Sequence, residues 1–177
     1  AKQWDAGVKL DNKAADTRSI WTVNDNLPVN FNNFTTSNVS VLRSELYAGT
    51  TMGSTADANE IINFTRGFDV FDEDKDGSIV DERWKLADIY HSNPILVNKP
   101  SAGTDTSNKN SDEYYRSQNN YKAFQSQWAS RPTTLLAGSN GGMLHAFSNA
   151  SGDEKWAFIP PSLISKLRLV NGGQANK

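Results

Sequence analysis

The chain of 177 residues contains no cysteine and only two histidines. The lack of cysteine excludes disulfide bonds, zinc sites built from thiolates and cysteine nucleophiles. No apolar stretch approaches the length of about 18 residues that a membrane-spanning helix needs, so we expect no transmembrane segment. The first residues, Ala1 to Asp5, lack the apolar core of a signal peptide. Either the protein is cytoplasmic, or a leader lay upstream and was removed.

The chain also lacks an excess of charge of one sign. Eighteen basic residues against 20 acidic ones give a net charge of −2, which provides no electrostatic footprint for nucleic acid. The sequence contains no G-x-S-x-G, G-x-x-x-x-G-K or H-E-x-x-H motif. His91 and His145 each fall in a predicted strand, where hydrogen-bonded structure is the expected role. We therefore expect a binding protein and not an enzyme.

The most informative stretch of the chain runs from Asp72 to Ser78 and has the pattern D-x-D-x-D-G. It places carboxylates at every second position, Asp72, Asp74 and Asp76, and follows them with a glycine. Calcium takes six to eight oxygen ligands, and a tightly curled loop lets alternate side chains converge on one ion. The glycine allows a sharp turn that directs the backbone carbonyl of Ser78 toward the same ion.

The second half of this loop departs from the EF-hand pattern. Counted from Asp72, the position of the bidentate acid is occupied by Arg83, while Asp81 and Glu82 stand just before it. A shortened loop could recruit either acid, so we predict a calcium site without the second EF-hand helix. The alternative is an acidic surface loop without an ion. Calcium is abundant outside cells, so the calcium prediction favours an exported protein.

The distribution of apolar residues divides the chain into three segments. Residues 1–68 are predicted to form a mixed α/β segment with a short strand at 18–23 and two short helices, around Val39–Leu46 and Ala58–Arg66. Residues 69–83 form the predicted calcium-binding loop. Residues 84–177 contain predicted strands at 86–97, 133–139, 143–148 and 154–160, joined mostly by short turns that contain Asn-Gly or Gly.

Four antiparallel strands make one blade of a β-propeller, and a blade needs neighbours to bury its faces. The predicted fold class is therefore mainly β with helical insertions, as one quinoprotein-like blade preceded by a loop-rich segment. We expect the remainder of the propeller on the same polypeptide or another chain. The alternative is a small sheet packed on a helical insertion at 111–130. In that helix Tyr114, Tyr121, Phe124 and Trp128 fall close to one face, and we expect them to pack in a core rather than to form a docking face.

Six sequence blocks stand out along the chain: Trp4-Asp5-Ala6-Gly7, Arg18 to Thr22, Phe64 to Gly67, Trp84 to Pro94, Gly138 to Phe147 and Trp156 to Pro161. They occur in the order seen in the PilC/PilY family of type IV pilus-tip proteins, which the chain resembles over nearly its whole length. The family usually has glycine where Ala87 stands and aspartate where Ser148 stands.

The resemblance implies the start of a C-terminal β-propeller with a calcium site, exported to the cell surface and the pilus tip and associated with the outer membrane. It implies roles in pilus assembly, adhesion and twitching motility. The partners would be pilin subunits or minor pilins and an unknown host or surface receptor. Two alternatives stay open. One is a quinoprotein dehydrogenase propeller, because Gly142 to Phe147 and Trp156 resemble its blade repeat. The other is a calcium-stabilised structural module of a larger surface protein.

Overall fold

The computed structural model describes residues 3–170, so the ends of the predicted segments at 1–2 and 171–177 lie outside the described residues. A five-stranded sheet has the strand order β1-β5-β4-β3-β2. Its strands are β1 (Ile20–Trp21), β2 (Ile95–Val97), β3 (Thr134–Gly138), β4 (Leu144–Ser148) and β5 (Glu154–Phe158). The α-helices are α1 (Ala6–Asp11), α2 (Val39–Leu46), α3 (Thr55–Arg66), α4 (Asp112–Gln118), α5 (Tyr121–Gln127) and α6 (Pro161–Val170).

Helices α2 and α3 form where the spacing of apolar residues predicts them. In α3 a capping box joins Ser54 and Asp57 at the N-terminus, and Gly67 ends the helix with a φ of 118°. The apolar faces of α2, α3 and α6 share one core with the inner face of β1 and β5. This core fixes the C-terminus of α3, and therefore the start of the acidic loop, against the sheet.

Strands β3, β4 and β5 form two hairpins, as the turn residues predict. Gly142 and Gly152 take φ values of 82° and 77° in the two turns, a conformation that favours glycine. Strands β2 to β5 are antiparallel neighbours in sequence order. The predicted combination of a sheet with helical additions is therefore confirmed, while the assignment of the sheet to a propeller blade is not.

Strand β1 adds a fifth strand, parallel to β5, which the prediction of a four-stranded antiparallel unit did not include. On the side that faces β5, the carbonyl of Ser19 accepts a hydrogen bond from the N–H of Ala157 at 2.9 Å. Its outer edge is closed by the side chain of Asn33, which accepts from the N–H of Thr22 and donates to the carbonyl of the same residue, both at 2.9 Å. Asn33 thus takes the place of a further strand.

The predicted strand at 86–97 is wrong over most of its length, because only Ile95–Val97 pairs with β3. Pro94 lacks an N–H and restricts the residue before it, which prevents a continuous ladder. The stretch before Pro94 lies across the turn after β3 instead, where the carbonyl of Asp88 accepts the N–H of Asn140 at 2.9 Å. His91 lies in this irregular stretch, not in a strand.

The single helix predicted at 111–130 is also wrong. The structure has two seven-residue helices, α4 and α5, separated at Asn120, which has a φ of 59°. Ser111 caps α4 as predicted, since its hydroxyl accepts from the N–H of Tyr114 at 3.1 Å. The expected core packing does not occur: within the part of the chain described here, neither helix contains a buried residue. The same part of the chain has no helix with the length and apolar character that a membrane crossing requires.

Candidate metal site

The acidic loop is closed at its base by a short antiparallel bridge. Phe68 pairs with Glu82, and the N–H of Asp69 donates to the carbonyl of Asp81 at 3.0 Å. Asp69 is only 2% exposed, and its two carboxylate oxygens both accept from the N–H of Glu73 at 2.9 Å. The loop therefore leaves the C-terminus of α3 and returns beside it, held by backbone hydrogen bonds that sequence inspection did not predict.

Three carboxylates of the loop converge, as the D-x-D-x-D-G pattern predicts. One oxygen each of Asp72, Asp74 and Asp76 lies within 4.8 Å of the other two. Calcium–oxygen distances are about 2.4 Å, so two ligands on opposite sides of one ion stand about 4.8 Å apart. This spacing would allow the three oxygens to contact one hard cation, without selecting which cation that is. Positive φ values at Asp72, Lys75 and Gly77, of 50°, 61° and 88°, produce the curl that brings the three oxygens together.

Each of these carboxylates is oriented by a backbone N–H further along the loop. Asp72 accepts from Gly77 at 3.2 Å and Asp74 accepts from Asp76 at 3.2 Å. Asp76 accepts from Ser78 at 2.7 Å. These hydrogen bonds fix one oxygen of each carboxylate without adding a positively charged group to the loop.

Residues 69–83 carry seven carboxylates and two cationic side chains, a net charge of −5. Arg83 pairs with Glu73, at 2.6 Å between Nε and Oε2, and its guanidinium lies 3.9 Å above the ring of Phe64. Among residues 3–170, no cationic side chain forms an ion pair with Asp72, Asp74 or Asp76. The three converging carboxylates thus lack a protein counter-ion within that range.

The remaining predicted ligands lie outside this triad. Ser78 stands two residues after Asp76 and is half-buried. Asp81 has one carboxylate oxygen, Oδ1, that is buried and has no hydrogen-bond partner in the described part of the chain. Glu82 points away, since Oε1 accepts from the N–H of Ala15 at 2.7 Å and Oε2 lies 2.8 Å from Nζ of Lys85. Burial raises the pKa of Glu82, but the hydrogen bonds from Lys85 and Ala15 outweigh it and lower that pKa.

A second group of polar side chains, which sequence inspection missed, lies inside the fold between β1, β4 and β5. Arg18 contacts both carboxylate oxygens of Glu154 at 2.9 Å, and Nδ1 of His145 lies 2.8 Å from Oε1 of Glu154. Nε2 of His145 lies 2.9 Å from the hydroxyl of Ser139. Burial alone raises the pKa of Glu154, but the bonds from His145 and Arg18 outweigh it and lower the pKa to about 2.

The order serine, histidine and carboxylate is also that of a nucleophilic triad. In this fold, however, both oxygens of Glu154 are held by Arg18, and His145 is 0% exposed. A substrate therefore has no access to the imidazole, and the group serves to join three strands. The expected structural role of His145 agrees with this position. The sequence signal that could have indicated this buried group is that Arg18, His145 and Glu154 each stand beside apolar residues, at positions that face inward.

The chain matches bacterial type IV pilus biogenesis factors. It is 30% identical over 175 residues to PilY1 of Pseudomonas aeruginosa strain UCBPP-PA14, and 31% identical over 119 residues to the PilY1 homolog of Xylella fastidiosa strain Temecula1. These matches cover 97% and 67% of the chain but only 14% and 9% of the two relatives. The chain is therefore homologous to one segment of PilY1, which confirms the predicted resemblance.

No protein-family model matches the chain, and no solved structure matches it.

Proposed function

We propose that the chain is a segment of an exported type IV pilus biogenesis protein, located at the cell surface and pilus tip and associated with the outer membrane. It acts there as a binding protein, not as an enzyme, and supports pilus assembly, adhesion and twitching motility. The observation that carries this proposal is the homology to PilY1 over 97% of the chain. The PilY1 relatives bear the name of biogenesis factors, which supports a role in assembly.

We propose in addition that the acidic loop binds one calcium ion. Asp72, Asp74 and Asp76 supply carboxylate oxygens and Ser78 supplies its carbonyl. Asp81 is a better candidate than Glu82 to complete the ligand set, because its buried Oδ1 has no hydrogen-bond partner within residues 3–170. A bound calcium ion supplies positive charge that offsets the repulsion among the carboxylates.

The base of the loop connects this site to the rest of the molecule. The N–H of Arg83 donates to the carbonyl of Gly67 at 2.9 Å, next to the end of α3. Lys85 joins Glu82 to the carbonyl of Asp11 at 2.8 Å. Ordering of the loop would therefore fix the chain where α1, α3 and the stretch toward β2 meet. This observation equally favours the second candidate, a calcium-stabilised structural module of a larger surface protein.

The sheet supports a propeller blade as the wider context. Strands β2 to β5 follow each other as an antiparallel run, and one face carries Trp21, Trp156 and Phe158, which are only half-buried. Ring centroids of Trp21 and Phe158 lie 4.5 Å apart on that face. We propose that the remainder of a propeller covers it, and that pilin subunits, minor pilins and a host or surface receptor are further partners.

Calorimetric titration of the purified chain with calcium tests the metal site. We expect one saturable site in the unmodified chain and its loss in Asp74→Ala, which removes a central carboxylate. Asp105→Ala is the matched control, because Asp105 is an exposed carboxylate outside the loop that bonds to Ser107. Absence of binding up to millimolar calcium, or equal loss in both variants, overturns the metal proposal.

Deletion of residues 3–170 from the full-length protein tests the biogenesis role. We expect loss of surface pili at unchanged abundance of the remaining protein, measured by electron microscopy and immunoblotting. Normal piliation by the deleted protein contradicts a role of this segment in assembly.

A further inference from the structure

The turn between β3 and β4 contains an asparagine that is followed directly by a glycine, Asn140-Gly141. The N–H of Gly142 donates to the carbonyl of Ser139 at 3.1 Å and closes this turn. Asn140 is exposed, and its N–H donates to the carbonyl of Asp88 at 2.9 Å. The side chain of Asn140 therefore stands in solvent on a backbone that is held at defined points.

The two groups of this dipeptide that can react with each other are both without a hydrogen bond. Within residues 3–170, the side-chain amide of Asn140 has no hydrogen-bond partner, and the N–H of Gly141 donates to no acceptor. Glycine has no Cβ, so no side chain shields the backbone nitrogen of Gly141 from the amide carbon of Asn140. The nucleophile and the electrophile are thus free to meet when the turn fluctuates.

The reaction between these groups balances with water as the only co-reactant. The backbone nitrogen of Gly141 attacks Cγ of Asn140, and the new C–N bond closes a succinimide ring. The side-chain nitrogen leaves as ammonia, taking up through solvent the proton that the attacking nitrogen loses. Water then adds to either imide carbonyl and opens the ring. One opening gives aspartate, and the other gives isoaspartate, in which the main chain runs through Cβ and Cγ.

The acidic loop contains a comparable step, Asp76-Gly77, whose reacting groups are engaged. The N–H of Gly77 donates to Oδ1 of Asp72 at 3.2 Å, and Oδ1 of Asp76 accepts from the N–H of Ser78 at 2.7 Å. A carboxylate is also a poorer electrophile than an amide, because it carries a negative charge. The loop is therefore protected, although an acid precedes glycine there as well.

The turn between β4 and β5 provides a second comparison, because Asn149 precedes Ala150 there. The Cβ of an alanine stands beside its backbone nitrogen and hinders the attack of that nitrogen on Cγ. The backbone of Asn149 is also held on both sides. Its N–H donates to the carbonyl of Thr133 at 3.2 Å, and its carbonyl accepts from Nε1 of Trp4 at 2.9 Å. The two hairpin turns therefore contain one unhindered asparagine and one hindered asparagine.

We propose that Asn140 is a site of spontaneous modification, at which water converts the asparagine to aspartate and isoaspartate through a succinimide formed with Gly141. Isoaspartate adds a carbon atom to the main chain of the turn, which displaces Gly141 and lengthens the contact between Gly142 and Ser139. Gly141 has little room to move, since a Cβ placed on it would lie 3.2 Å from Cβ of Ala87. The modified turn therefore separates from the stretch before β2. This inference does not depend on the proposed function.

The test is incubation of the purified chain at mildly alkaline pH, followed by peptide mapping with mass spectrometry. Asn140 and Asn149 lie on the same tryptic peptide, 123–155, whereas the further step Asn171-Gly172 lies on another peptide. We expect conversion at Asn140 to be at least about tenfold faster than at Asn149, which corresponds to a barrier lower by about 1.4 kcal/mol. The rate at Asn140 should rise with pH, because base removes the proton of the attacking nitrogen.

Asn140→Gln is the decisive variant, because a glutamine would have to close a larger and less favourable ring. It should abolish conversion at this position over the time in which the unmodified chain reacts. Asn149→Gln makes the same change in the other hairpin turn and should leave the rate at Asn140 unchanged. Circular dichroism of both variants before incubation checks that the sheet is intact. The comparison of Asn140 with Asn149 in the unmodified chain needs no variant.

The converted chain carries an additional carboxylate, so anion exchange separates it from the unmodified chain. We expect the isoaspartate form to melt at a lower temperature, and the melting temperature of Asn140→Gln not to fall on incubation. Conversion at Asn140 that is no faster than at Asn149, or no conversion at either position, overturns the inference. An isoaspartate form that melts like the unmodified chain overturns the separation of the turn. None of these results bears on piliation, which the deletion of residues 3–170 tests separately.

Discussion

Two groups of charged side chains in this molecule, the buried group around Glu154 and the acidic loop, satisfy their charges in opposite ways. Arg18 and Glu154 have side chains that are 0% exposed, and each charge meets a specific partner. In the loop, the carboxylates of Asp74 and Asp76 are exposed and bond only to backbone N–H groups. Both groups hold the chain in a defined path.

The difference indicates which group is available for a ligand. A buried ion pair with complete hydrogen bonding is closed, because any added group would have to displace a partner. Carboxylates that converge without a cation are open, because a hard cation improves their electrostatic energy. Residue type alone does not distinguish the closed group from the open one, since both contain carboxylates. The two groups differ in whether a cationic side chain lies within contact distance of those carboxylates.

The largest expected effect comes from breaking the buried group. Arg18→Ala leaves Glu154 buried with only His145 as partner, and we expect the free energy of unfolding to fall by about 3–5 kcal/mol. Urea denaturation measures this change. Lys9→Ala is the control, because Lys9 and Asp153 form an exposed pair at 3.6 Å, and exposed pairs contribute little to stability.

An Arg18→Ala variant that loses less than about 1 kcal/mol would show that the buried pair does not hold β1 in place. If Arg18→Ala does not fold, Arg18→Lys retains a charge beside Glu154 and should fold with intermediate stability.

A smaller effect is expected from acid. The pKa of Glu154 is about 2 in the fold and 4.5 in its ordinary state, so the folded pKa is depressed. Its contribution, about 3 kcal/mol, is fully present above pH 4.5 and is lost as the pH falls toward 2. Urea unfolding measured between pH 6 and pH 2, in steps of about one pH unit, should show this decline.

Glu154→Gln should flatten that decline, because the substituted side chain does not titrate. Asp105→Asn should leave most of it, since Asp105 is exposed and its pKa is lowered only by bonds to neighbouring groups, chiefly the N–H of Ser107. Equal profiles for Glu154→Gln and the unmodified chain would assign the acid sensitivity to other carboxylates.

The smallest effect separates the two acids at the end of the loop. Glu82→Gln weakens the contact with Lys85 and should lower the free energy of unfolding by about 1 kcal/mol while leaving calcium affinity unchanged. Asp81→Asn should weaken calcium binding and leave the stability in chelator unchanged. Calorimetry and urea unfolding in chelator measure the two quantities. Loss of calcium binding in Glu82→Gln, with Asp81→Asn unaffected, would reverse the assignment.

Local signals in the sequence predicted the elements that depend on local chemistry. The apolar spacing of α2 and α3, the glycine after α3 and the turns around Gly142 and Gly152 were sufficient for those elements. The D-x-D-x-D-G pattern likewise predicted the convergence of its three carboxylates, because curl and spacing are both local. It did not predict that Glu82 bonds to Ala15, since that contact joins residues 67 positions apart.

The missed fifth strand and the wrong core prediction for the aromatic stripe share a cause in long-range contacts. The parallel pairing of β1 with β5 depends on residues at opposite ends of the chain, and no local signal indicates it. Between β2 and β3 the aromatic spacing predicted a buried face, but the break at Asn120 and the absence of a covering element left that face exposed within the described range. Whether such a stripe is core or interface depends on what lies opposite, which spacing does not encode.

The position of β1 has a consequence for the order of folding. Arg18 and Glu154 are 136 residues apart, so the strand made first finds its neighbour only when the last hairpin exists. The β3–β4–β5 hairpins rely on contacts of short sequence separation and can form early, whereas closure by β1 is a slow, non-local step. We therefore expect the N-terminal strand to dock last, with Arg18 still in water until the sheet is otherwise complete.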